Sequence, residues 1–272
     1  MHLDVIDLRK FYYRTKLGRI VQRALRDKVE RLFGDTKGQT ILGYGFAAPM
    51  LRPFLKSSRR VICLMPGQQG VMPWPEGQLN RSVLTPEISW PLATGVVDKM
   101  VILHGLETSN NQNGLLEEIW RVLGPGGRVL IIVPNRSGLW ARSEKTPFGY
   151  GQPYSVSQLE TQLRIHKFSV ERHMSAMFFP PSHKPFWLKV SKYLEGVGLR
   201  GVIPLASGVI IIEATKQIYA RPKSGLGATV KNPLGGVLRG IKAPTGKPIK
   251  GLHRQERRLQ MWLMQSMKEQ MQ

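Results

Sequence analysis

Apolar residues recur at helical spacing from Leu115 through Leu116, Ile119 and Val122 to Leu123, with Glu117, Glu118 and Arg121 between them. This spacing predicts an amphipathic helix with a single apolar stripe. The run Gly124, Pro125, Gly126, Gly127 then predicts the helix end, because proline cannot extend the hydrogen-bond ladder and glycine accepts a left-handed cap. Val129 to Val133 follow as an unbroken apolar stretch rich in β-branched residues, the pattern of a strand covered on both faces of a parallel sheet.

The same reading extends along the chain. Thr40 to Tyr44 and Val61 to Met65 are expected as the first two strands, with a helix from Ala48 to Lys56 between them. A weaker third strand is expected around Arg81 to Leu84, a fourth from Lys99 to Leu103 and a fifth from Arg128 to Val133. Ser155 and Gln158 read as a capping box that opens a helix reaching about Ile165. Phe168 to Met174 should be a sixth strand, Lys184 to Leu194 a helix, and Gly208 to Thr215 a last strand. Repeated strand-helix order predicts an α/β fold, a Rossmann-like doubly wound seven-stranded sheet with right-handed crossovers.

Two flanking segments differ from this body. Between Val5 and Phe33, apolar positions at mixed three and four spacing predict one or two helices on a sheet face, with Phe11, Tyr12 and Tyr13 as a hinge. Such helices could serve as a lid over a substrate cleft or simply as cover. Residues 221 to 251 hold seven glycines and four prolines, which predicts a flexible linker, and Leu252 to Met271 carries the spacing of a short amphipathic helix. The expected organisation is therefore 1–36 as covering helices, 37–216 as the sheet domain and 217–272 as a basic tail.

Charge changes the picture most. Forty basic against eighteen acidic residues give a formal net charge of +22. Residues 216 to 272 alone carry twelve basic and two acidic residues, so the tail is the most one-sided segment. This excess points to an anionic partner, whether RNA, a ribosome or a membrane surface. Cys63, the single cysteine, lies in the apolar run VICLM, which predicts a buried inert thiol and rules out an intrachain disulfide. Six histidines without metal-ligand spacing, no GxxxxGK[ST] loop and no GxSxG elbow argue against metal, nucleotide triphosphatase and serine hydrolase chemistry. The start MHLDVIDLRK lacks the apolar core of a signal peptide, and the apolar runs are too short to span a bilayer, so a soluble cytoplasmic protein is expected.

The helix, PGG turn and strand at 115–135, together with the WPLATGVVD segment at 90–98, resemble class I S-adenosylmethionine-dependent methyltransferases, in particular the type 11 group, and the likeness runs from about Thr40 to Lys216. The resemblance implies an antiparallel C-terminal strand, S-adenosylmethionine as cofactor, no metal and an unidentified methyl acceptor. It places the cofactor beyond the turn after the first strand, where Gly45 would admit the ligand; Gly43 stands where the family carries a carboxylate, and Ala47 where it carries glycine. Met65 stands at the ribose position in place of an acid, and Gln68 or Gln69 could substitute. Glu87 is the candidate for the adenine amine, and Asp98 has a structural role at the start of strand four. His104, with Glu107, would face the methyl group as a candidate base, and the alternative is a structural histidine. Arg136, Trp140, Arg142, Phe148, Tyr150 and Tyr154, in the long loop after strand five, are the candidate substrate readers. Two functions follow: first, a methyltransferase with a recruiting basic tail, which the PGG unit, Glu87 and the aromatic loop favour; second, a non-catalytic methyltransferase-like binding or partner-stabilising protein, which the residues at positions 43 and 65 favour.

Overall fold

The computed structural model describes residues 3–198 and 207–217. The expected linker and terminal helix, 221–271, lie outside the described residues, as does all but the first residue of the expected tail. The N-terminal helices belong to the same compact unit as the sheet, Met1–Arg221.

Seven strands form one sheet: β1 Thr40–Gly45, β2 Arg60–Pro66, β3 Ser82–Thr85, β4 Val97–Leu103, β5 Leu123–Pro134, β6 Phe168–Ala176 and β7 Val209–Lys216. Their order is β3-β2-β1-β4-β5-β7-β6. β1 pairs in parallel with β2 and β4, and β4 with β5, whereas β7 enters antiparallel between β5 and β6. The sheet is thus doubly wound and mostly parallel, as the alternating pattern predicts. Its strand order reverses between β1 and β4, which is where doubly wound sheets hold their ligands.

The helices are α1 Val5–Arg9, α2 Lys16–Phe33, α3 Ala48–Leu51, α4 Gln112–Val122, α5 Val156–Ile165 and α6 Pro185–Gly198. A π-helical turn, Lys10–Arg14, links α1 to α2 at the Phe11-Tyr12-Tyr13 cluster, and Thr15 caps α2 by accepting from the Gly18 amide at 2.9 Å. The expected helix from Ala48 to Lys56 is one turn of α-helix followed by a 3₁₀ turn, Arg52–Leu55. Proline in each of these turns removes an amide donor and explains the break.

Leu115, Leu116, Ile119 and Val122 are fully buried against Val129, Ile131 and Val133, so the α4 stripe packs on β5 as its spacing predicts. Two details differ. Leu123 is already extended, and the PGG segment lies inside β5, where the pairing with β4 shifts register between Val97 and Lys99. The glycines serve close approach: a Cβ on Gly124 would meet the Gly95 carbonyl at 3.1 Å, and one on Gly127 the Gly124 carbonyl at 2.9 Å. Glu118, expected on the solvent side, is 8% exposed. It accepts from the Trp90 amide at 2.6 Å and pairs with Arg121 at 2.6 Å, thereby tying α4 to the segment before β4.

Candidate cofactor and substrate site

Every element that would shape the hollow meets at the carboxyl ends of β1, β2 and β4. Gly45 closes β1 at φ +75°, a conformation that favours glycine, and a Cβ there would run into the Leu103 carbonyl at the end of β4. The next residue, Phe46, donates its amide to that same carbonyl at 2.8 Å. A Cβ on Gly43 would press on the Ala47 methyl at 2.8 Å and on the Leu51 side chain. Gly43, Gly45 and Ala47 therefore pack β1 against its own following turn and against β4.

His104 follows β4 directly with φ 53°, in the left-handed region that a non-glycine residue seldom occupies. Its ring is fully buried, with Nε2 2.8 Å from the Tyr12 hydroxyl and Nδ1 3.1 Å from Glu107 Oε1. Its carbonyl accepts from the Gln69 amide and from the Thr108 hydroxyl. The second carboxylate oxygen, Glu107 Oε2, is buried with no partner among the described residues. Burial, and next the Glu107 charge, hold the Tyr12 phenol well above the ordinary tyrosine range.

Around this chain of polar groups stands a cluster of rings. Tyr12 lies over Phe46 at 5.5 Å with 24° between planes, and His104 meets Phe148 at 4.7 Å. Tyr12, Phe46, His104 and Phe148 are all at most 1% exposed. Tyr12 arrives from the N-terminal π-helical turn, whose neighbour α1 is fixed by the Val5 amide donating to the Gln69 carbonyl at 2.7 Å. The N-terminal segment therefore reaches into the sheet's carboxyl edge.

The remaining sequence candidates divide between core and surface. Met65 is 1% exposed at the end of β2 beside Leu84. Gln69 already spends its amide on His104 and Thr108, so it is engaged in holding the loop after β4. Glu87 is half-buried and accepts from the Asn110 amide at 3.0 Å, a loop-fastening contact. Asp98 accepts from the Thr40 amide at 2.7 Å and so fixes the starts of β4 and β1. Trp140, Phe148 and Tyr154, expected as substrate readers, are core residues at most 2% exposed. Trp140 donates its indole N–H to the Phe179 carbonyl at 2.6 Å and fills the space beside Gly208. Arg136 and Arg142 are exposed, and Tyr150 borders a cavity of about 280 Å³ between the N-terminal helices and the loop after β5. The structure thus brings His104, Glu107 and Phe148 together and leaves Arg136 and Arg142 on the surface. Sequence reasoning named Tyr12 only as part of a hinge; the aromatic cluster interrupting a basic helix was the available signal.

An adenosyl group needs an open hollow beyond Gly45 and acceptors for its ribose hydroxyls. Here the hollow's place is taken by Tyr12, Phe46 and His104, and β2 ends in Met65 and Pro66. With the side chains so placed, S-adenosylmethionine would need Tyr12 displaced and would meet no carboxylate at the end of β2. Among the described residues there is no group of His, Cys, Asp and Glu able to hold a metal ion and no helix long and apolar enough to cross a membrane.

No family model matches the chain, and no curated protein matches it by sequence. Solved structures resemble it. A S-adenosylmethionine-dependent methyltransferase from Archaeoglobus fulgidus aligns with a TM-score of 0.53 at 15% identity, covering 72% of this chain and 94% of that one. A chain from the complex between the Haloferax volcanii Trm112 methyltransferase activator and the putative methyltransferase aligns with a TM-score of 0.52 at 14% identity, covering 75% and 93%. Together with the strand order and the antiparallel β7, these alignments give the chain the class I S-adenosylmethionine-dependent methyltransferase fold.

Proposed function

We propose that this chain is a non-catalytic methyltransferase-fold protein that binds an anionic partner. The observation that carries this reading is the ring cluster of Phe46, Tyr12, His104 and Phe148, closed over the carboxyl ends of β1 and β4. A small-molecule pocket is concave and accessible to its ligand, whereas these side chains are packed like a core. The net charge of +22 supplies the attraction for the partner, with RNA and anionic membrane surfaces as the candidates.

Calorimetry on the full-length protein tests the first half. We expect no binding heat with S-adenosylmethionine or S-adenosylhomocysteine at millimolar concentration, and saturable binding of either would overturn the reading. Titration with single-stranded RNA and with anionic vesicles over a salt series tests the second half. Binding to one of them that weakens steeply with salt is expected, and indifference to both would remove the anionic partner.

One observation favours a second reading, that of a methyltransferase acting on an unidentified acceptor. Tyr12, His104 and Glu107 form a buried hydrogen-bonded chain at the end of β4, on a histidine held at positive φ, and such strain clusters at functional sites. On that reading Tyr12 must leave before any cofactor enters. Tyr12→Gly separates the two: gain of S-adenosylmethionine binding in this variant supports the enzyme, and its continued failure to bind supports the binding protein.

A further inference from the structure

Beside the filled edge lies a second concavity with different chemistry. A cavity of about 540 Å³ is bordered by Arg9 and Arg14 from the N-terminal segment, by Arg52 from the 3₁₀ turn, and by Tyr13, Trp74 and Glu76. Its volume falls within the range of small-molecule sites. Three separate stretches of chain contribute to it: the α1 and π-helical segment, the turn after α3, and the loop between β2 and β3.

Its charge is out of balance. Three guanidinium groups face the cavity's surroundings and the only carboxylate among its lining residues is Glu76, a local excess of two positive charges. All three arginines are exposed, and none makes an ion pair or a side-chain hydrogen bond among the described residues. By contrast, Arg121 pairs with Glu118, and Arg172 and Arg128 pair with Glu213. Gathering like charges around one cavity costs free energy that a bound anion returns, and the planar guanidinium fork suits phosphate oxygens.

The apolar wall is aromatic. Trp74 is only 6% exposed yet borders the cavity. Tyr13 borders the same space. Arginines beside aromatic rings provide phosphate contacts and a surface for a planar ring.

We infer that this cavity is a binding site for a nucleotide, with Arg9, Arg14 and Arg52 holding the phosphates and Trp74 and Tyr13 contacting the base. The inference does not depend on whether the edge at His104 is ever open.

The test is calorimetry on the full-length protein with ADP, inorganic pyrophosphate and adenosine at physiological salt, which screens loose attraction to the basic segments. ADP should bind most tightly, pyrophosphate less so and adenosine weakest. Replacing both Arg14→Gln and Arg52→Gln should weaken ADP binding about a hundredfold, through loss of two charge-assisted contacts. Trp74→Leu should weaken ADP about tenfold and leave pyrophosphate unchanged. Circular dichroism checks that this variant folds, and Tyr13→Leu provides a second ring variant should it not. ADP that fails to bind, or that binds the arginine double variant as it binds the unaltered protein, overturns the site. Pyrophosphate binding as tight as ADP, with neither ring variant altering ADP, overturns the nucleotide as its ligand.

Discussion

The two edges of the sheet bury polar groups in different ways. At the amino edge, Lys99 is 4% exposed and donates to the Phe33 carbonyl and, at 2.7 Å, to the Asp35 carbonyl. Lys216 is 8% exposed, donates to the Leu123 carbonyl at 2.6 Å and lies 4.0 Å over the Trp120 ring. Burial pulls both ammonium groups below the ordinary lysine range, yet each has backbone acceptors that close a helix end or strand start. At the carboxyl edge, Tyr12, His104 and Glu107 are more completely buried, one carboxylate oxygen has no partner, and the histidine backbone is left-handed. At the amino edge both lysine ammonium groups find acceptors, although Gln39 Oε1 and Trp120 Nε1 are buried there without a partner among the described residues. What sets the carboxyl edge apart is a left-handed histidine bonded to a carboxylate whose second oxygen is unmet, at the place where this fold accommodates ligands.

Four measurements break or sharpen this contrast. The largest effect is expected at the carboxyl edge from Gly45→Val, which adds both a forbidden φ and a clash with the Leu103 carbonyl. It should cost about 4 kcal/mol in urea denaturation, and a loss under about 1 kcal/mol would mean that this edge yields readily. At the amino edge, Lys99→Met removes the donor shared by the buried Phe33 carbonyl and the part-buried Asp35 carbonyl and should cost about 3 kcal/mol. If it is nearly neutral, the amino edge is no fastening and the comparison fails.

The third measurement is pH dependence. The Tyr12 phenol titrates higher in the folded chain than in the unfolded one, because of burial first and the Glu107 charge second. Above about pH 10 the unfolded chain releases this proton while the folded chain keeps it, so the contribution is complete below that pH and falls as pH rises. Urea midpoints between about pH 9 and 11 should therefore fall more steeply for the unaltered protein than for Tyr12→Phe, by up to about 1.4 kcal/mol per pH unit. Parallel slopes would show that Tyr12 is not held neutral at the site. The smallest effect is expected from Glu107→Gln. It preserves an acceptor for His104 while removing a buried charge with an unpartnered oxygen, so stability should change by about 1 kcal/mol or less. A loss comparable to that at Lys99 would make the carboxyl edge as much a fastening as the amino edge.

Much of the architecture was legible in the sequence because local pattern and tertiary packing agree there. The α4 stripe, the Val129 to Val133 strand and the alternation from Thr40 to Leu103 each bury the residues that their period assigns to the core. Ser155 caps α5 by accepting from the Gln158 amide at 3.2 Å, one half of the expected box. Misreadings arose where a polar or aromatic residue has a distant partner. Glu118 looks like a solvent-side charge until Trp90 and Arg121 meet it. Trp140 looks like a surface reader in a glycine-rich loop until Phe179 and Gly208 enclose it.

The sequence by itself determined the α/β order, the strand that ends in Gly45, the absence of a carboxylate at Met65 and the excess of positive charge, since each is a property of composition or short-range period. Only the tertiary structure decided that Tyr12, 92 residues from His104, lies against it and fills the edge that the strand order prepares for a ligand. It alone also gathered Arg9, Arg14 and Arg52 around one cavity. Both outcomes depend on how the N-terminal segment packs against the ends of the strands, a long-range choice made by shape and burial, which periodicity along the chain does not encode.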